Sequence, residues 1–244
     1  MNKLAKYGLL ALVGLVLVLV GCDDGGNGGG DSRISFTDDF QLIPFDVDGD
    51  GDTTYTFDGE DVDDVVNPAG GRILTYDPDN DGTANLVNGQ VLRLVSGRFA
   101  FDEGDTDYAG YTDELVFTND ADWYLNGTVF IGENDQIDDD ARPNSTVLDI
   151  QAGTTILGIA SGSAPGTLVI DRNGQFDAVG TSSSPIVFTS SKAVGTRAPG
   201  DWGGLVINGN ALVQGGNPTG EGGTGTYGGI TATDDSGTLQ YARV

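Results

Sequence analysis

The chain has 244 residues and carries 37 acidic against 11 basic side chains, for a formal charge of −26, with no histidine and one cysteine. That balance excludes nucleic acid as a partner, because a phosphate backbone is held by Lys and Arg. The lack of histidine excludes His-based triads, His-ligated zinc and imidazole acid/base chemistry, and a lone cysteine excludes an internal disulfide.

Lys3 and Lys6 precede an apolar run from Tyr7 to Val20 that ends in Leu19-Val20-Gly21-Cys22. The run is short for a membrane span, and a small residue directly before the cysteine is what a lipoprotein signal peptidase needs. An ordinary signal peptide or an uncleaved anchor helix is the competing reading. Residues 1–21 are therefore expected to be a lipoprotein signal peptide, with Cys22 acylated and serving as the contact with the membrane. Each buried methylene of the acyl chains would contribute about 0.8 kcal/mol to the anchor. Residues 22–32 hold the lipidated cysteine and a Gly, Asn and Asp tether that cannot bury enough apolar surface to order itself. Cleavage would remove two lysines, leaving 9 basic against 37 acidic groups and a net charge of −28. Such an excess opposes compaction unless cations sit among the carboxylates.

Residues 33–114 read as an acidic, β-rich region, either a separate domain or a cap over the first coil of a solenoid. Within it, Asp46, Asp48, Asp50 and Asp52 alternate around glycines, and Asp77-Pro-Asp79-Asn-Asp81-Gly82 repeats the pattern. Carboxylates at alternate positions with a glycine after the third suit a short loop wrapping oxygens round Ca2+. The twelfth position of an EF-hand would be Glu, yet counting from Asp46 and Asp77 gives Phe57 and Asn88. These are abbreviated loops, which Asp58 or another nearby carboxylate can complete. Solvated acidic turns are the competing reading, since Asp, Asn and Gly are also the common turn formers. Glu103, Asp105 and Asp107, and Asp138 to Asp140, lack the glycine placement and read as solvated surface.

From Leu115 onward the pattern changes. Leu148/Ile150, Leu168/Ile170, Ile186/Phe188 and Leu205/Ile207 are apolar pairs two apart, whose first members are spaced by 20, 18 and 19 residues. Ile156 and Phe176 follow Leu148 and Leu168 by 8 residues each. Period-2 alternation with no helical periodicity predicts an all-β chain, and the recurrence predicts a right-handed parallel β-helix over residues 115–244 with all eight paired residues in one core. Leucine-rich repeats share such a period, but their Leu and Asn signature is missing. Glycines 153, 158, 166, 174 and 180 are expected at corners, and Asn208 and Asn210 in amide stacks between coils. Trp202 reads as a corner residue packed across a coil rather than a carbohydrate platform. The chain stops at Val244 inside a strand-like run, so further sequence beyond it is the expectation.

The segments Ile150-Gln-Ala-Gly-Thr-Thr-Ile-Leu-Gly158, Gly180-Thr-Ser-Ser-Ser-Pro-Ile-Val-Phe-Thr-Ser190 and Gly200-Asp-Trp-Gly-Gly-Leu-Val-Ile-Asn-Gly-Asn-Ala211 resemble the parallel β-helix lipoproteins of bacterial outer surfaces, including Bacteroidetes and spirochaete proteins. The resemblance runs over about 115–244 and implies a location at the outer membrane or cell surface. It implies little about activity. The expected function is a lipid-anchored envelope protein displaying a β-helix as a structural or binding module, adhesion included, with calcium stabilisation and a surface glycan or protein as ligand. The second reading is a polysaccharide lyase or glycosidase on the same scaffold. No lyase motif surrounds Arg172, Lys192 or Arg197, so no catalytic residue is assigned and the expectation is a non-enzyme.

Overall fold

The computed structural model describes residues 36, 38–46, 54–57, 60–63, 70–100, 113–133, 146–160 and 164–244. Its strands are β1 (Phe40–Gln41), β2 (Thr54–Phe57), β3 (Glu60–Asp63), β4 (Arg72–Tyr76), β5 (Leu86–Val87), β6 (Gln90–Phe99), β7 (Asp113–Phe117) and β8 (Ala121–Ile131). They continue as β9 (Thr146–Ile150), β10 (Thr155–Gly158), β11 (Thr167–Ile170), β12 (Gly174–Val179), β13 (Ile186–Ser190), β14 (Gly204–Ile207), β15 (Gly237–Gln240) and β16 (Ala242–Arg243).

From β6 on, strand pairing is parallel and successive coils lie on one another, so the chain is a parallel β-helix. One face stacks β7, β9, β12 and β15. A second stacks the first halves of β6 and β8 with β10, β13 and β16. The third stacks the second halves of β6 and β8 with β11 and β14. β6 and β8 pass from the second face to the third without a break, turning at Gly97 (φ +83°) and Gly127 (φ +71°). A side chain rarely adopts that backbone conformation, which makes glycine the residue that lets a continuous strand take a corner.

Because each strand buries alternate residues, stacking aligns the buried ones in columns: Leu115, Leu148 and Phe176 on the first face, Trp123, Ile156 and Phe188 on the second, Val129, Leu168 and Leu205 on the third. The three faces close on a single apolar cluster in which Trp123 and Phe117 stack at 4.2 Å. The Trp123 indole N–H donates to Thr118 O at 2.9 Å, satisfying the one polar atom that comes with it.

These columns correct the expected repeat. A coil is not 18–20 residues long: Leu148 lies under Phe176, 28 residues on, Ile156 under Phe188, 32 on, and Leu168 under Leu205, 37 on. The pairs at Leu148, Leu168 and Ile186 sit on the first, third and second faces. Each face needs the same in-out-in pair, so successive faces imitate successive turns, and the 8-residue interval is the span of one corner. Ile207, expected in the core, is 46% exposed, and Leu205 is only partly buried against the cluster. Their strand, β14, is hydrogen-bonded to β11 alone among the described residues, which leaves its other edge open.

The parallel stack reaches back to β6, ahead of Leu115. On the far edge of β6, β4 and β5 pair antiparallel to it, and β1 pairs antiparallel to β4. An edge strand with free N–H and C=O groups invites foreign pairing, and β4 covers this one. Phe40, Leu92, Leu94 and Ile159 form a second cluster there, with Phe36 stacked on Phe40 at 5.5 Å. The guanidinium of Arg93 lies 3.6 Å from the ring centroid of Phe45, which packs against the main core. β2 and β3 form an antiparallel hairpin.

Candidate functional site

Among the described residues, three arrangements carry polar chemistry. The first is the turn after β4. Asp77, Asp79 and Asp81 each place a carboxylate oxygen within 4.8 Å of the others. Asp77 is buried, and its oxygens accept from the N–H groups of Asp81 (3.2 Å) and Gly82 (3.0 Å), while Asp81 accepts from Thr83 N–H at 2.8 Å. Burial works against ionising Asp77, but hydrogen bonds from Gly82, Asp79, Asp81 and Asn80 outweigh it and hold its carboxyl below the ordinary value. Asp79 is pushed the other way, first by its hydrogen bond with Asp77, then by burial and the charge of Asp81. The turn is thus a shaped cluster of oxygens whose carboxyls are held apart in acidity by their hydrogen bonds and mutual charge. Of the other candidate ligands, Asp46 is half-buried. Asp48, Asp50, Asp52 and Asp58 lie outside the described residues, as do Cys22, Glu103, Asp105, Asp107 and Asp138 to Asp140.

The second arrangement is a polar column where the third face turns into the first. The sequence Ile170-Asp-Arg-Asn of one coil lies under Ile207-Asn-Gly-Asn of the next. Asn208 Nδ2 donates to Asp171 Oδ1 at 3.4 Å, and Asn210 Nδ2 to Asn173 Oδ1 at 3.5 Å, so both asparagines do stack between coils. Asp171 also binds Arg98 from a coil below, at 2.9 Å, with the Asp171 side chain fully shielded and that of Arg98 24% exposed. Burial pushes the Asp171 carboxyl up, while Arg98, the Arg172 N–H and Asn208 pull against it.

From this column the chain leaves on a Gly-rich excursion, 208–236, and the column holds it. Arg172 donates to Thr226 Oγ1 at 2.8 Å and to Gly228 O at 3.3 Å, Asn208 donates to Thr224 O, and Asp234 accepts from Asn210 N–H at 2.8 Å. The excursion walls the third arrangement, a cleft of about 730 Å³ against β11 and β14. Thr167 and Val206 from the strands, and Glu221, Thr224 and Tyr227 from the excursion, line it. Sequence reasoning singled out none of these five, because the excursion has no periodicity to place Glu221 or Tyr227. A signal did exist for the column: Asp171-x-Asn173 and Asn208-x-Asn210 recur at 37 residues, the true spacing of that coil.

The remaining sequence candidates are structural. Trp202 packs against the main core, beside Gly158, where a Cβ would meet Trp202 Cβ at 2.6 Å. Lys192 pairs with Asp201 at 2.7 Å, and Arg197 donates to Lys192 O and Thr189 Oγ1.

A family model described as a pectate-lyase-like beta helix domain matches residues 110–244, more than half of the chain. The chain belongs to that family. No curated protein and no solved structure gave a match.

Proposed function

We propose that the protein is a lipid-anchored component of the bacterial envelope, at the outer membrane or cell surface, that presents its β-helix as a structural or ligand-binding module. The reading is carried by Leu19-Val20-Gly21-Cys22 closing an apolar run ahead of a Gly/Asp tether and the solenoid. A body braced through successive coils suits display of a long surface more than it suits any diffusible role. Labelled palmitate should enter the full-length chain and be absent from Cys22→Ser. Equal labelling of the two would remove the anchor from this account.

Within that reading the module is not catalytic. Lyase chemistry, which the family description brings forward, needs a base free to take a proton beside a cation-bound uronate. Of the three basic residues weighed for that role, Arg172 is buried against the excursion, Lys192 is paired with Asp201, and Arg197 donates to Lys192 O and Thr189 Oγ1. Unsaturated products released from polygalacturonate with calcium present would overturn this part.

Calcium is assigned a stabilising role at Asp77, Asp79 and Asp81, and at the Asp46 to Asp52 loop. A divalent ion among the clustered oxygens of Asp77, Asp79 and Asp81 would reverse the local repulsion. Binding stabilises by RT ln(1 + [L]/Kd), about 2.7 kcal/mol at a hundredfold excess over Kd, and extracellular modules bind at roughly 0.1–1 mM. The melting temperature should rise with millimolar calcium but little with magnesium, and Asp79→Asn plus Asp48→Asn should blunt the response. An equal response to both ions, or an unchanged response in the double variant, would mark these as ordinary acidic turns.

A further inference from the structure

The cleft between the third face and the excursion has a volume of about 730 Å³, inside the roughly 300–1,000 Å³ of small-ligand sites. Much of its hydrogen-bonding capacity accepts. The Thr167 hydroxyl donates to Pro165 O at 2.9 Å and the Thr224 hydroxyl to Glu221 O at 2.8 Å, so both protons are committed and the oxygens are left to accept. The Asn208 amide hydrogens are engaged too, by Asp171 Oδ1 and Thr224 O. Glu221 adds an exposed carboxylate, which only accepts. No described lining residue is basic. Thr128 adds a hydroxyl, Val206 gives the strand side an apolar patch, and Tyr227, 40% exposed, brings a ring face together with a phenol that can donate as well as accept.

A ligand for such a place should bring hydroxyls that donate to Thr167, Thr224 and Glu221 and can accept from Thr128 and Tyr227, present an apolar face to Tyr227 and Val206, and carry no negative charge. A polyanion fails on the last count, since it would meet Glu221 on a chain of net charge −26 with no cation in the lining. An uncharged sugar chain meets all three, because each ring has a C–H face bordered by hydroxyl donors. We propose that this cleft binds an uncharged oligosaccharide, with Tyr227 against a ring and Thr167, Thr224 and Glu221 accepting from its hydroxyls. The proposal rests on the reading of the β-helix as a binding module and names its ligand class. It departs from the polyuronate that the family description suggests.

The test is calorimetric titration of the full-length chain in detergent with cellohexaose, xylohexaose, mannohexaose, laminarihexaose and hexagalacturonate, the last with and without calcium. At least one neutral hexasaccharide should bind, and hexagalacturonate should be weaker by about tenfold or more in either condition. Tyr227→Ala should weaken neutral binding by about tenfold, the loss of one aromatic contact. Glu221→Lys, at an exposed position, should raise affinity for hexagalacturonate. Silence from all four neutral ligands, equal or tighter binding of hexagalacturonate, or a folded Tyr227→Ala that binds like the parent would each overturn the proposal. If Tyr227→Ala does not fold, an unchanged preference in Glu221→Lys does the same. Palmitate labelling of the same preparation separates the two readings. Labelled protein without saccharide binding sinks the cleft alone, and saccharide binding by unlabelled protein sinks the anchor alone.

Discussion

Asp149 and Asp177 are direct register partners across β9 and β12, on the outer side of the first face. Burial, then the charge of Asp177, raises the Asp149 carboxyl above its ordinary 3.8. Unfolded, the group releases its proton near that ordinary value; folded, it holds on to a higher pH. Between the two values the folded chain binds more protons, so this group's contribution to stability falls as pH rises through the window. Asp177→Asn removes the facing charge and should stabilise the chain at pH 7 by about 0.2–1 kcal/mol, the usual worth of a cross-strand pair. At pH 3, below the ordinary 3.8 that Asp149 exceeds, Asp149 is largely neutral and the pair no longer repels, so the variant should match the parent in urea melts. A gain of equal size at both pH values would assign the effect to something other than charge. At this scale the core was legible: six of the eight residues expected inside are buried. The Arg98–Asp171 pair was not, because 73 residues separate partners that only coil stacking brings together.

The β-helix strands were readable as elements from their period-2 alternation, but their assignment to faces was not. Leu148/Ile150 and Leu168/Ile170 look alike in sequence because both must point inward, and nothing local tells one face from another. Corner length carries that information, and corners are where the pattern of apolar residues stops. How the Gly-rich excursion folds back on the coils was hidden for the same reason. It is held from below by Arg172, whose two donated bonds fix Thr226 and Gly228. Arg172→Met keeps the aliphatic stem and removes the donors. It should open the excursion locally, speeding proteolytic cleavage within 211–235 by about tenfold for each 1.4 kcal/mol lost from the closed state. The global melt should move far less, since the columns of the three faces are untouched. A parallel fall in global stability with no local cleavage would show that Arg172 supports the coils instead.

Over the whole molecule, charge and architecture pull against each other. A net charge of −26 repels itself throughout a folded body, whereas coil stacking holds the strands together. Raising sodium chloride from 0.01 to 1 M shortens the screening length from about 30 to about 3 Å. The melting temperature should therefore rise, by about 2–4 °C for each kcal/mol of repulsion removed. Potassium chloride should act equally, which separates screening from a specific ion. A flat or falling response would mean that local pairing has already neutralised the field.

The corners of this molecule differ in length from coil to coil while the strands keep their register. Along the first face, register partners are 33 apart from Leu115 to Leu148, 28 from Leu148 to Phe176 and 61 from Phe176 to Gly237. Length is absorbed outside the columns, at the 159–166, 191–203 and 208–236 connections. Side chains over 194–200 are exposed and can change at little cost to folding, whereas Trp202, Asn208 and Asn210 tie the same connections to the coils. The same separation makes the tip of the 191–203 corner, 194–200 with the exposed Val194, a natural point at which to splice in a foreign loop. An engineer would inherit the molecule's own division of labour.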